Sequence, residues 1–186
     1  MKHIYLDTET SGLDVKRHSI IQLSGVIEID GRVVEEFDYK VKPFPGCFVS
    51  KASLDICGYS MEDLHTFTPP EVVYQDFSAM IAKYVDKYNR EDKFHLIGYN
   101  SRFDEEFLRD FFVRNCDEYF SSWFWWPSLD VAIMAAILLK DVRHKFTNFK
   151  LETLASHFGI KYQGNVHTAL ADAKVTRELY KVLSGE

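Results

Sequence analysis

Ile4-Tyr5-Leu6-Asp7-Thr8-Glu9-Thr10-Ser11-Gly12 is a short apolar run that delivers two carboxylates and then breaks at a glycine. The run has strand character, and a spacing of two residues puts Asp7 and Glu9 on the same face of an extended chain. Like charges on one face of a central strand repel each other and resist burial unless a hard divalent cation lies between them. The spacing therefore asks for a metal ion. An edge strand with both carboxylates in water would satisfy the same pattern, so the choice falls to the rest of the chain.

Working outward, Leu13 to His18 reads as a loop, and the β-branched run from Ser19 to Ile29 reads as a second strand ending at Asp30-Gly31. Asp-Gly between two strand-like runs signals a hairpin. Its second arm, Val33 to Val41, alternates: Phe37, Tyr39 and Val41 share one face, Glu36, Asp38 and Lys40 the other. One face meets the core and one meets water. Pro43, Pro45 and Gly46 open a long connection in which Ser60 or Thr68 offers a helix start. The spacing of Val73, Phe77, Met80, Ile81, Tyr84 and Val85 predicts an amphipathic helix over 71–88. Phe94 to Gly98 reads as a short strand followed at once by a helix carrying Phe103, Phe107, Leu108, Phe111 and Phe112. The aromatic patch Trp123 to Pro127 reads as core or as cover over a sheet edge rather than as a base-stacking platform. Val131 to Leu139 reads as a mostly buried helix, Lys140 to Lys150 as a basic stretch, and 151–158 and 168–183 as two last helices. A meander of strands followed by alternating helices and strands predicts a mixed sheet covered by helices, in an α/β or α+β layered domain.

The chain has 186 residues, 46% of them hydrophobic and 15% aromatic, which is enough for a sizeable core in one domain, taken here as 1–186. No apolar run is long enough for a membrane span and the N-terminus lacks a signal-peptide pattern, so a cytoplasmic protein is expected. Cys47, Cys57 and Cys116 form no Cys-x-x-Cys pair and read as reduced thiols rather than a zinc site. A net charge of −6 argues against nonspecific coating of long nucleic acid, which draws affinity from neutralising many phosphates. It leaves room for an enzyme that meets a phosphate through metal ions.

Three further residues make a constellation. Asp104, in Asn100-Ser101-Arg102-Phe103-Asp104, falls in the first turn of a helix that follows a strand, a place the helix dipole favours for a carboxylate whether or not it binds anything. Asp172, in His167-Thr168-Ala169-Leu170-Ala171-Asp172-Ala173, lies on a helix whose small neighbours suggest close packing, so its carboxylate needs a partner. Taken alone, His167 reads as a surface or capping histidine more often than as a catalyst.

Asp7-Thr8-Glu9 with Ser11-Gly12-Leu13, then Asn100-x-x-Phe103-Asp104-x-x-Phe107-Leu108, then His167-x-Ala169-x-x-Asp172-Ala173 resembles, in that order, the three motifs of the DnaQ-like DEDDh 3′-to-5′ exonucleases. The resemblance spans nearly the whole chain. It implies a ribonuclease H-like α/β fold: a five-stranded mixed sheet flanked by helices, its first three strands an antiparallel meander. It also implies that Asp7, Glu9, Asp104 and Asp172 hold two Mg²⁺ or Mn²⁺ ions and that His167 is the general base. The chemistry agrees, since two ions about 3.5–4 Å apart bind a scissile phosphate, acidify a water and stabilise the leaving 3′ oxygen. Oxygen ligands suit those hard ions, and a histidine with an unperturbed pKa of about 6.5 can accept the water proton near neutrality.

The resemblance further implies that Thr10, Ser11, Gly12 and Leu13 receive the terminal nucleotide, with Asn100 and Phe103 on the other side. Tyr99 stands where members often carry a histidine, and Ser11 where many carry threonine. The expected substrate is the 3′ end of single-stranded DNA, in proofreading or repair. Any DNA polymerase involved would be a separate subunit. RNA or short oligonucleotides are the alternative substrate, and a catalytically silent partner-binding module is the third reading.

Overall fold

The computed structural model describes residues 1–162 and 168–186. Its sheet has the order β3-β2-β1-β4-β5, built from β1 (Lys2–Thr10), β2 (Ile20–Ile29), β3 (Arg32–Lys40), β4 (His95–Gly98) and β5 (Leu129–Asp130). The first three strands are antiparallel neighbours, while β4 and β5 add in parallel, as strands reached through helical crossovers do. The strand that carries Asp7 and Glu9 is thus the middle one of five. Asp30 and Gly31 both take positive φ, 49° and 79°, at the β2–β3 turn. That is the left-handed pair a two-residue hairpin demands.

Among the described residues the α-helices are α1 (Lys51–Cys57), α2 (Met61–Thr66), α3 (Pro70–Ile81), α4 (Ser101–Arg114), α5 (Val131–Leu138), α6 (Leu151–His157) and α7 (Ala169–Ser184). They cover the sheet on two sides, and the alternation of β1 assigns each residue to one of them. Ile4 and Leu6 pack with Leu23, Ile27 and Phe37 against Val73, Phe77 and Ile81 of α3 and Phe107, Leu108, Phe111 and Phe112 of α4. Tyr5 turns the other way, with Val26 and Ile97, toward Val131 and Ala135 of α5, Leu154 of α6, and Leu179 and Tyr180 of α7. Continuing that alternation, Asp7 and Glu9 share the side of α7, and Thr8 and Thr10 the side of α4.

Three local expectations need correction, and a fourth, a helix start at Ser60, holds. The helix read over 71–88 stops at Ile81, where the amides of Lys83 and Tyr84 fall back on the carbonyls of Met80 and Ile81 in tight turns. The connection after Pro43 holds two short helices. α1 is capped by Ser50, and α2 starts with a reciprocal Ser60–Asp63 capping box. α5 buries only Val131 and Ala135, leaving Ile133, Ile137 and Leu138 exposed, because the sheet beneath it ends at the two-residue β5. The aromatic patch divides: Trp123 and Phe124 are core, whereas Trp125 stacks on His95 and Trp126 is exposed. Among the described residues no helix is long and apolar enough to cross a membrane.

Candidate active site

The end of β1 places its carboxylates among the ends of three other elements. Cross-strand register sets Asp7 opposite Ser24 and Glu9 opposite Gln22 on β2, and these stand opposite Asp38 and Lys40 on β3. Two polar rows therefore run over the α7 side of the sheet. Ser24 Oγ donates to Asp38 at 2.7 Å and Gln22 Nε2 donates to the same oxygen at 2.6 Å. Tyr59, just past α1, donates to Gln22 Oε1 at 2.7 Å and meets Lys40 Nζ. The Cys57 thiol donates to Glu9 Oε2 at 3.0 Å. Burial first, and then that bond, push the thiol up to about 12, so it serves Glu9 as a donor and not as a thiolate.

Asp104 comes to the site through α4. Asn100, at φ 62° and ψ 45°, turns the chain sharply out of β4 into that helix. Gly98 permits the close approach, since a Cβ there would lie 3.1 Å from Ser101 Cα and 3.4 Å from the Leu6 carbonyl oxygen. Asp104 is almost completely buried, and its Oδ1 accepts from both the Thr8 amide, at 2.9 Å, and the Thr8 hydroxyl, at 2.7 Å. Asp172 lies in the first turn of α7, which Thr168 caps by accepting from the Ala171 amide, and the Tyr162 hydroxyl donates to its carboxylate.

The electrostatics of this group are those of a site short of positive charge. Burial raises the Asp7 pKa well above the carboxylate range, and the charges that raise it further are Asp104, Asp172 and Glu9, all acidic. Burial likewise carries Asp104 up to about 7, although the two Thr8 bonds favour its ionised form. Four carboxylates from β1, α4 and α7 thus act on one another at the end of the central strand. The candidate donor set fits a hard divalent ion: among the described residues its members are carboxylates, and the Cys57 sulfur beside Glu9 is held protonated. A histidine–glutamate cluster at the opposite end of β1 differs in kind. Glu28, beside His3 and Glu186, is paired with Arg177 and Lys181, which makes it an ion-pair network of the fold.

The loop after β1 is organised by Ser11, which is fully buried. Its amide donates to the Ser19 carbonyl at 2.8 Å, and its hydroxyl donates to the Phe48 carbonyl at 2.7 Å and accepts from the Ser19 amide at 3.0 Å. Its carbonyl accepts from the Ser50 amide at 2.7 Å. Thr10 is also buried, with its hydroxyl on the Gly12 carbonyl at 2.8 Å. Gly12 packs flat against the His18 ring, where a Cβ would come within 2.1 Å of Cδ2. Of the four loop residues expected to receive a nucleotide, Thr10 and Ser11 spend their side chains on building the loop, and Leu13 alone projects, 83% exposed. Asn100 is exposed beside the Asp104 helix, and Phe103 is half-buried against Phe107. His167 lies outside the described residues.

Two contributors escaped the sequence reading. Cys57 gave no signal, since a single cysteine has no spacing to read. Asp130 does more than cap α5: its Oδ1 accepts from Ala132 and Ile133 of that helix and from the Asn100 amide at 3.1 Å, tying β5 to the turn that launches Asp104.

Comparison with known proteins puts this geometry in context. DNA polymerase III PolC-type of Thermotoga petrophila is 27% identical over 181 residues, covering 95% of this chain and 11% of that protein. Ribonuclease T of Hahella chejuensis is 28% identical over 189 residues, covering 95% of this chain and 80% of that protein. The chain thus spans about a tenth of the PolC relatives and most of ribonuclease T. E. coli Exonuclease I in complex with a dA16 oligonucleotide superposes with a TM-score of 0.79 at 20% identity, over 99% of this chain and 41% of that one. That likeness is one of fold, which is ribonuclease H-like. Enzymes of this kind use divalent metal ions. The model of the Exonuclease family, RNase_T, matches residues 4–180, nearly the whole chain, and the protein therefore belongs to that DnaQ-like exonuclease family.

Proposed function

We propose that residues 1–186 form a single exonuclease domain that shortens single-stranded DNA from its 3′ end and releases nucleoside monophosphates. The observation that carries this reading is the all-acidic cluster in which Asp7, Glu9, Asp104 and Asp172 meet at the end of the central strand, within a chain of the exonuclease family. Asp7, Glu9, Asp104 and Asp172 would hold two divalent ions, Mg²⁺ or Mn²⁺. When bound, such ions polarise the scissile phosphate and lower the pKa of the attacking water. The chain supplies the remainder. Thr8 fixes the Asp104 carboxylate through two bonds, Cys57 fixes Glu9, and Tyr162 fixes Asp172. His167 takes the proton of the attacking water as general base. Leu13 stands at the rim to meet the last base, across from Asn100 and Phe103.

Two findings bear on the polymer. The PolC relatives are DNA polymerases, which supports DNA and association with a DNA polymerase in proofreading. The fit of this chain to most of ribonuclease T supports the second reading, a 3′-to-5′ exoribonuclease that trims RNA or short oligonucleotides. The deciding experiment digests matched 5′-labelled single-stranded DNA and RNA of one sequence with Mg²⁺, with Mn²⁺ and with chelator. Metal-dependent ladders shortening from the 3′ end are expected, faster on DNA. Asp7→Ala abolishes them with the fold retained, and His167→Ala slows them by roughly 10²–10⁴ while metal binding survives. Full activity in Asp7→Ala overturns the metal assignment.

A further inference from the structure

We propose that Phe48, with Arg17 beside it, is a stacking platform for one nucleobase of the strand entering the site, a role that rests on the exonuclease reading for the identity of its ligand. Phe48 is 60% exposed, although its backbone is pinned on both sides. Its amide donates to the Arg17 carbonyl at 2.8 Å and its carbonyl accepts the buried Ser11 hydroxyl at 2.7 Å. An aromatic ring on a backbone already ordered loses little further freedom when a ligand covers it.

Position and charge narrow what that ligand is. Ser11 lies two residues beyond Glu9, a chain distance of about 7 Å, so the segment bonded to Ser11 borders the carboxylate cluster. Leu13, another exposed apolar side chain, is two residues from Ser11 in the opposite direction. The Arg17 guanidinium sits 4.6 Å from the centre of the Phe48 ring, and exposed Lys16 precedes it. An apolar protein surface would satisfy the ring and leave the cations without anions. A nucleotide satisfies both, its base lying on the free face of Phe48 and its phosphate meeting Arg17. Lys16 and Arg17 also carry local positive charge on a chain whose net charge is −6, where a phosphodiester strand needs local guidance.

The test measures binding without turnover, by fluorescence anisotropy of 5′-labelled single strands with the full chain carrying Asp7→Asn. The strands are one intact oligonucleotide and three with a single abasic residue at the first, second or third position from the 3′ end. Phe48→Ala is expected to weaken binding of the intact strand roughly five- to 150-fold, the range for loss of one stacked base, and Phe48→Trp to restore it. The loss should vanish on the one abasic strand that lacks the stacked base. Phe48→Leu, apolar but without a π-face, should behave as the alanine variant and serves if that variant fails to fold. Arg17→Ala should lower the slope of log Kd against log salt by about 0.7, one phosphate contact on a single strand. Unchanged affinity in Phe48→Ala, or a loss of equal size on all four strands, overturns the proposal. A protein that binds strands with this signature yet shortens none, with Asp7 restored and Mg²⁺ or Mn²⁺ present, overturns the exonuclease reading and leaves the platform standing.

Discussion

Asp104→Asn offers the sharpest check on the electrostatics, because it keeps the shape and the acceptor oxygen while removing the charge. Burial holds the Asp104 pKa up at about 7, whereas in the unfolded chain it returns to about 4. A group whose folded pKa is raised contributes stability that is full below the unfolded value and is lost as pH rises through the folded one. A rise of about three units corresponds to a loss on the order of 4 kcal/mol once pH is above both values, of which somewhat under half has gone by pH 5. In chelator, the wild-type protein should therefore lose on the order of 3 kcal/mol from this group between pH 5 and pH 8. Asp104→Asn cannot ionise and should escape that loss, so it should overtake the wild type in urea melts as pH rises. Adding Mg²⁺ at pH 8 should restore the wild type by mass action and do less for the variant, whose hydrolysis is lost. Two metal-free curves that stay parallel from pH 5 to pH 8 would refute the claim that Asp104 is held against its charge.

Three further predictions concern the parts that hold the site. Ser11→Ala removes a buried hydroxyl that bonds Phe48 and Ser19; it should cost about 1–3 kcal/mol in urea melts and raise KM more than it lowers kcat, since it loosens the rim and not the carboxylates. Gly25→Ala should destabilise more severely than an ordinary strand substitution, because its Cβ would lie 2.3 Å from the Tyr5 carbonyl oxygen and force β1 and β2 apart; a soluble variant melting like the wild type would contradict the register. At pH 8 a maleimide should label exposed Cys116 first and Cys57 last, because the Cys57 thiol is half-buried and held protonated by burial and Glu9, and mass mapping of a time course reads the order.

Much of this molecule was legible in the chain itself because it depends on local rules. Asp7 and Glu9 share a face by the two-residue period of a strand, Asp30-Gly31 makes its turn by the left-handed conformations those residues tolerate, and the apolar spacing on α4 selects the face it buries. The same rules misjudged α5, since apolar composition says that a helix prefers burial but not that a sheet is there to bury it. They also ran past the end of α3, where the periodicity continues through Tyr84 and Val85 although the chain has left the helix.

The order of motifs in the chain was enough to point to the family, and through it to which acids belong together. What needed the tertiary structure was everything that depends on residues far apart in sequence. Thr8 grips Asp104 across 96 positions, Cys57 reaches Glu9 across 48, and Ser11 carries Phe48 to the rim across 37. Side chains of ordinary type make these contacts, so no local pattern announces them. The raised pKa values follow from the same cause, because burial and proximity of like charges are properties of the assembled sheet and not of any segment. The chain determined which acids were candidates for a metal site; only the packing of α4 and α7 over the central strand decided that they would meet, and at what electrostatic cost.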